Sequence, residues 1–289
     1  MRTRPSHRIE LRLGCHTTAA WVYPGDPERR PLLMVHGFRG DHHGMDLIAG
    51  DIRDREVIVP DLPGFGRTPP LESGSGLRSF VDYLFALGTE IGRQRQAKPI
   101  VVGHSFGSIL VSHLAASHPE AVPELVLINP ITSPALEGSA RFLTALTRVY
   151  YSLGARLPER PGRALLSNRL IVRAMSEVMA TTSDAGLRRY VHDQHDRHFS
   201  SFADRQSLAQ AYATSIAHTV TEVAAELTMP VLVIAGDRDS IAPIGPTRDF
   251  VSRLPEAELV ELAGVGHLVH YERSAEAASA IMGFSAKRG

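Results

Sequence analysis

Val101-Val102-Gly103-His104-Ser105-Phe106-Gly107, preceded by Ile100 and followed by the run from Ser108 to Ser117, is the stretch that decides the fold. A β-branched run leads straight into G-x-S-x-G, and an apolar-periodic segment follows. This reads as a buried strand, a tight turn and a helix. A serine on such a turn is pushed out over the end of a sheet, and the glycines two before and two after let neighbouring backbone pass close by. The following helix points its N-terminal amides at the same spot, which favours developing negative charge. G-x-S-x-G alone is a weak signal, because small residues recur by chance. Placed between strand and helix it marks a nucleophilic serine, and the competing reading, a strand–helix turn with no chemistry, has to be weighed against the partners found downstream.

The chain has 289 residues, which suits one large α/β domain or one domain carrying an insertion, and 43% hydrophobic residues supply a sizeable core. Lysine plus arginine (31) balances aspartate plus glutamate (31), so there is no global field to recruit nucleic acid or an anionic membrane. The single cysteine, Cys15, rules out an internal disulfide and fits a reducing cytoplasm. Met1 to Leu13 lacks an apolar core of signal-peptide length, and no uncharged run is long enough to span a bilayer. The expectation is a soluble, cytoplasmic protein.

Around the serine, strands and helices alternate. Ile9–Leu13 and Thr17–Tyr23 read as two N-terminal strands, and Leu32–Val35 as a strand buried on both faces, ending at His36-Gly37. Met45–Ile52 reads as a helix and Glu56–Val59 as the next strand, before a loop rich in glycine and proline from Asp61 to Gly76. Phe80–Gly92 has helical spacing, with Leu84, Leu87 and Ile91 on one side, and Leu125–Ile128 is the strand after the serine helix. The pattern predicts a mostly parallel sheet covered on both faces by helices.

The alternation stops near Pro130. From Ile131 to about Val220 the chain is helical in character and rich in arginine, alanine and aromatics (Phe142, Tyr150, Tyr151, Tyr190, Phe199, Phe202, Tyr212). A strand at Val231–Ala235, a helix at 246–253, a strand at 257–262 and a helix from Ser274 to Phe284 then resume it. The simplest organisation is an α/β core in two parts, 1–130 and 223–289, with an all-helical cap at 131–222 standing over the carboxyl ends of the strands.

A serine hydroxyl is a poor nucleophile until a base takes its proton, and that base must be held by a third group. Gly236-Asp237-Arg238-Asp239 follows the strand at 231–235, and Gly264-Val265-Gly266-His267 follows the strand at 257–262. A carboxylate and an imidazole are therefore expected at the same sheet edge as Ser105, where open α/β sheets bind ligands. The chain order is serine, acid, histidine.

With these motifs in place, the chain resembles the α/β-hydrolase superfamily, of the cap-bearing type related to small esterases, C–C bond hydrolases and cofactor-free haloperoxidases. The resemblance covers nearly the whole chain outside the helical segment. It rests on His36-Gly37-Phe38, the block Asp61 to Thr68 (DLPGFGRT), Gly103 to Gly107, Gly236 to Asp239 and Gly266-His267. It implies Ser105 as nucleophile, His267 as general base and then acid, and Asp239 as the orienting carboxylate. Asp237 competes for the last role. In similar hydrolases the acid is the later aspartate of the G-x-x-D turn, ahead of a short run ending in proline, as Ser240-Ile241-Ala242-Pro243 does here; Asp237 is then expected to shape the turn. Some relatives carry the acid after the preceding strand, but that strand ends here at Asn129, which cannot stabilise an imidazolium with a full charge. The resemblance further implies an oxyanion hole from the backbone amides of Phe38 and Phe106, with the Phe38 side chain lining the acyl pocket and His36 bracing its loop.

Two other histidine groups need a reading. His192, His195 and Asp196 would share a helical face at metal-ligand spacing, yet Asp193, Gln194 and Arg197 beside them have the make-up of a solvated surface. Asp41-His42-His43 sits near the expected entrance, where it could touch substrate or supply a polar N-cap to the next helix. Tyr150-Tyr151 and Met175/Met179 have spacing that suits packing between helices. The expected function is cleavage of a small hydrophobic carboxylic ester or related acyl bond, with no organic cofactor or metal and no nucleic-acid or membrane partner. One rival is a C–C bond hydrolase of a vinylogous diketone. Such relatives often carry tryptophan just after the histidine, whereas this chain has Leu268 and keeps its only tryptophan at position 21. Perhydrolase or haloperoxidase turnover is a side reaction open to the same site. A rival of another class is a non-catalytic ligand-binding protein on this fold, which would not need all three residues.

Overall fold

The computed structural model describes residues 4–134 and 141–288, without the side chains of 141–145. The apolar runs of four to six residues become strands buried on both faces. They are β3 (Leu32–Val35), β4 (Val57–Pro60), β5 (Ile100–His104), β6 (Leu125–Ile128) and β7 (Val231–Gly236). With β1 (His7–Leu13), β2 (His16–Tyr23) and β8 (Ala257–Leu262) they form one eight-stranded sheet in the order β1-β2-β4-β3-β5-β6-β7-β8. β1 and β2 pair antiparallel and β2 runs antiparallel to β4; every other pairing is parallel. The mostly parallel sheet expected from the alternation is the one observed.

Successive strand residues feed opposite layers, as the two-residue period of a strand demands. Leu33, Val35, Val101, Leu125 and Leu127 pack with α2 (Leu77–Arg95) and α3 (Phe106–Ser117), through Leu84, Leu87, Ile109 and Leu110. Leu32, Met34, Val102, Val126 and Ile128 pack on the other face with α1 (Asp46–Asp51) and with Ala277, Ile281 and Phe284, near the C-terminus. The helix expected over Met45–Ile52 starts differently. Asp41 accepts the His43 N–H, so a 3-10 turn over His42–Met45 leads into α1.

After β6 the described residues form α4 (Arg141–Arg156), α5 (Glu159–Leu166), α6 (Arg169–Met179), α7 (Ala185–His198) and α8 (Arg205–Ala217). Asn168, Asp184 and Asp204 cap α6, α7 and α8 by accepting amides of their first turns. Phe142 lies outside the described side chains. The Val220 N–H donates to Ile131 O at 2.9 Å, closing the base of the segment. A two-stranded contact ties it to the Asp61–Thr68 loop: Gly66 N–H donates to Ser201 O and Ala203 N–H to Gly64 O. After β7 come α9 (Ile244–Val251), β8, α10 (Val269–Glu272) and α11 (Ser274–Ala286). The single turn of α10 is too short to leave a periodic trace in sequence. Among the described residues no helix is long and apolar enough to cross a membrane.

Buried histidines make this fold acid-sensitive. Burial pushes His104 and His195 down to about 3, with His267 and His192 adding to it respectively, and burial also lowers His36 and His270. Each favours the neutral form more strongly when folded than when unfolded, where a histidine takes its proton near pH ~6.5. Their share of stability is therefore complete above that pH and is lost as pH falls, at about 1.4 kcal/mol per pH unit for each histidine. His43 runs the other way: burial opposes its charge, but Asp41 beside it prevails and raises its pKa, offsetting one share. Urea unfolding at pH 7.5 and 5.0 should show a clear loss of stability at the lower pH, with more than one proton taken up. Equal stability at both would contradict this account.

Candidate active site

In a parallel sheet the carboxyl ends of the strands lie on one edge, and here five neighbours deliver their next residues to one place. β3 leads to Gly37-Phe38, β5 to Ser105, β6 to Asn129, β7 to Asp239 and β8 to His267. Ser105 has φ 53° and ψ −118°, outside both helix and strand regions. Its N–H still belongs to the sheet, donating to Ile128 O at 3.0 Å, while its carbonyl already accepts the Ser108 N–H at 2.9 Å in the first turn of α3. The chain thus reverses within one residue. It can do so because a Cβ on Gly103 would lie 2.5 Å from Val111 Cγ2, and one on Gly107 2.5 Å from Val35 O.

The three polar side chains expected to meet do meet. His267 Nε2 lies 2.7 Å from Ser105 Oγ, and His267 Nδ1 lies 2.7 Å from Asp239 Oδ2. Asp239 is almost fully enclosed but well supplied with donors. Its Oδ1 accepts the Ile241 and Ala242 amides at 2.8 and 2.9 Å, and its Oδ2 also accepts the Asn129 side-chain N–H at 2.5 Å. Burial works to raise its pKa, but His267, the Ala242 amide and Asn129 outweigh burial and hold the carboxyl below the usual range. An ionised Asp239 only accepts, so the histidine proton sits on Nδ1 and the Nε2 lone pair faces the serine hydroxyl.

Asp237 is placed elsewhere. Its Oδ1 accepts the Gly264 N–H at 2.7 Å, so it ties the β7 turn to the loop before His267. Expected to shape its own turn, it makes its one observed side-chain bond across to the loop after β8 instead. Asn129, considered only as an absent acid, is a donor to the carboxylate. It has φ 45° and also donates to Gly266 O at 3.2 Å.

The loop after β3 lies against the serine: a Cβ on Gly37 would be 3.3 Å from Ser105 Cβ. Among the described residues the backbone N–H groups of Phe38 and Phe106 donate to no protein acceptor. His36 accepts the Leu62 N–H on Nε2 at 2.9 Å and donates from Nδ1 to Gly37 O at 2.8 Å, which spends both nitrogens on the loop. The Phe38 ring meets Phe106, Tyr151 and Tyr212 with centroids 5.4–6.3 Å apart. Tyr151 and Tyr212 also form part of the wall of a groove of about 560 Å³ between α4 and α8, with Arg148, Arg156, Gln210 and Ile216. Ser105 is not in that wall, so the tyrosine pair stands between the groove and Phe38.

Arg39 carries no local signal in the sequence. Its side chain is buried, with Nε donating to Phe199 O at 2.9 Å, one terminal nitrogen to Leu166 O at 2.7 Å and the other to the Tyr151 hydroxyl at 3.2 Å. It thereby caps the C-terminal ends of α7 and α5, where helix dipoles offset its charge.

The solvated reading of His192 and His195 needs correction. Both are buried, and both place Nδ1 on Ser176 Oγ, at 2.6 and 2.7 Å, while Asp196 faces Arg173 at 3.5 Å. The polar neighbours Asp193 and Arg197 pair with each other at 3.0 Å on the opposite side of α7, where both side chains are exposed. Asp41, His42 and His43 cluster closely enough for metal ligands, but their inner atoms are already paired, His43 with Asp41 at 2.9 Å and His42 with Asp61 at 2.8 Å.

The alpha/beta hydrolase fold family model matches residues 30–274. The chain is 27% identical over 238 residues to a pimeloyl-[acyl-carrier protein] methyl ester esterase of Chromobacterium violaceum, covering 82% of this chain and 86% of that protein. It is 25% identical over 264 residues to a biotin biosynthesis bifunctional protein of Cellvibrio japonicus, covering 89% of this chain but 47% of the relative, so it spans about half the length of that protein. A thermophilic esterase from Thermogutta terrifontis superimposes with a TM-score of 0.76 at 18% identity, covering 97% of this chain and 98% of the other, a likeness of fold. The chain belongs to the α/β-hydrolase fold family.

Proposed function

We propose that this protein hydrolyses a carboxylic ester or closely related acyl bond of a small hydrophobic substrate, through an acyl-Ser105 intermediate. The observation that carries the reading is the hydrogen-bonded line from Ser105 Oγ through His267 to Asp239, with both links at 2.7 Å. His267 Nε2 takes the hydroxyl proton as Oγ attacks the carbonyl carbon. Asp239 stabilises the imidazolium that forms, and His267 then gives the proton to the leaving alcohol. The Phe38 and Phe106 amides stabilise the oxyanion. Water repeats the sequence on the acyl-enzyme, with His267 again as base, and releases the acid and free Ser105. No metal or organic cofactor takes part in these steps. The names of esterase and lipase relatives support the same reaction class.

In this reading residues 131–222 act as the cap. Arg39 seats that segment on the loop that carries Phe38, and Tyr151 and Tyr212 roof the acyl side of the site. A cytoplasmic setting rests on the chain's one cysteine, the exposed Cys15.

Ser105→Ala should lower kcat on p-nitrophenyl esters of graded chain length by about 10⁴–10⁶ while the fold stays intact. Retention of more than about a tenth of turnover would sink the acyl-serine mechanism. A ring-cleavage dienoate in the same screen, turned over faster than every ester, would move the substrate class to C–C bonds.

Asp239→Asn should lower kcat by about 10⁴, because it removes both the charge and the acceptor that fix the imidazole tautomer. Asp237→Asn should lower it far less, since that side chain serves a loop contact. Steady-state kinetics of the two variants decides between them, and a reversed order would move the acid to Asp237.

A further inference from the structure

Resting on the acyl-Ser105 reading, we propose that Thr181, in the connection between α6 and α7, is a positioning residue for His267. The Gly266 N–H, immediately before the histidine, donates to Thr181 Oγ1 at 2.8 Å. The threonine hydroxyl donates in turn to Glu272 Oε2 at 2.7 Å. Glu272 Oε1 accepts the Thr181 and Thr182 amides at 2.8 and 3.1 Å. The direction of every bond is forced. An amide N–H can only donate and a carboxylate can only accept, so the one hydroxyl proton of Thr181 is committed to Glu272 and its lone pair to Gly266.

His267 therefore lies between two points of attachment, Gly266 before it and Glu272 at the end of α10 after it, and both converge on the same threonine. The Gly266 carbonyl is held from the other side by Asn129, the residue that also donates to Asp239. The core holds the two peptide groups that flank the histidine, through Asn129 on the Gly266 carbonyl and His104 Nε2 on the His267 carbonyl, the latter at 3.2 Å. The preceding Val265–Gly266 peptide is shared: Arg238 N–H donates to its carbonyl at 3.0 Å, and Thr181 of the helical segment accepts its N–H. Gly266 and Glu272 are both buried, so neither regains a water partner when the hydroxyl is removed. The segment proposed as a cap thus supports the catalytic base as well as roofing the substrate.

Thr181→Val keeps the shape of the side chain and removes the hydroxyl. It should lower kcat on the best p-nitrophenyl ester by about 10–100-fold with KM changed less than about threefold, because small misplacements of a reacting group cost rates of that order. Thr181→Ser, which restores the hydroxyl, should stay within about threefold of wild type in kcat. A purely structural or roofing role predicts a different split, with KM moving and serine failing to rescue. A second readout does not depend on turnover. The downfield proton resonance of His267 Nδ1–H, identified by its loss in His267→Ala, should shift or broaden in Thr181→Val and persist in Thr181→Ser. Unchanged kcat and an unchanged resonance in folded Thr181→Val would overturn the proposal. If Thr181→Val does not fold, Glu272→Gln is read in its place and should show the same two effects, and their absence would likewise overturn it. Ser105→Ala assayed in parallel separates the readings. Ester turnover that survives in it refutes the acyl-serine mechanism, while the resonance still decides on Thr181.

Discussion

A serine held in left-handed backbone geometry at the end of β5 is the constraint around which the molecule is arranged. L-residues avoid that region, so the surrounding structure must hold Ser105 there. It does so by splitting the residue between two hydrogen-bonding systems: its N–H stays in the sheet with Ile128, and its carbonyl begins α3 with Ser108. The side chain is left standing over the sheet edge with nothing between it and His267. The parallel order β3-β5-β6-β7-β8 then supplies Phe38, Asn129, Asp239 and His267 to that edge from far apart in the chain.

The second requirement is a charged carboxylate in a closed site. An enclosed, unpartnered Asp239 would be neutralised by desolvation. Two backbone amides, the Asn129 amide and His267 supply its donors and reverse that tendency. His267 contributes most to that reversal, and the fold of the β7 turn back onto its own carboxylate, with Asn129, adds to it. Nearby histidines illustrate the contrast. His104, in contact with His267 but without a carboxylate partner, is held neutral by burial. Of these two adjacent histidines, His267 is wired to a carboxylate and His104 is not.

Much of this was legible in the sequence, for local reasons. A four-residue apolar run such as Leu32–Val35 or Leu125–Ile128 can be buried on both faces only as an inner strand, and both are strands at those bounds. Gly103 and Gly107 flag the turn because any other residue there would strike Val111 or the β3 carbonyls. Choosing Asp239 over Asp237 drew on family position, since both aspartates sit on the same turn. What escaped reading depends on contacts between distant segments. Arg39 gives no sign of its role, because its partners Leu166 and Phe199 are backbone carbonyls more than a hundred residues away. His192 and His195 look solvated beside Asp193 and Arg197, and only the packing of α6 on α7 turns their face onto Ser176. Thr181 is one threonine among many until the loop before His267 folds against it.

The central claim is that a substrate acyl group rests on Ser105 between two half-reactions. Rapid acid quench of the protein during turnover of a p-nitrophenyl ester, followed by intact-mass and peptide mass spectrometry, tests it directly. The account predicts one acyl group per chain, carried on the peptide that contains Ser105 and absent from Ser105→Ala. Acyl groups on another residue, or rapid burst release of p-nitrophenol with no acylated peptide at Ser105, would contradict it.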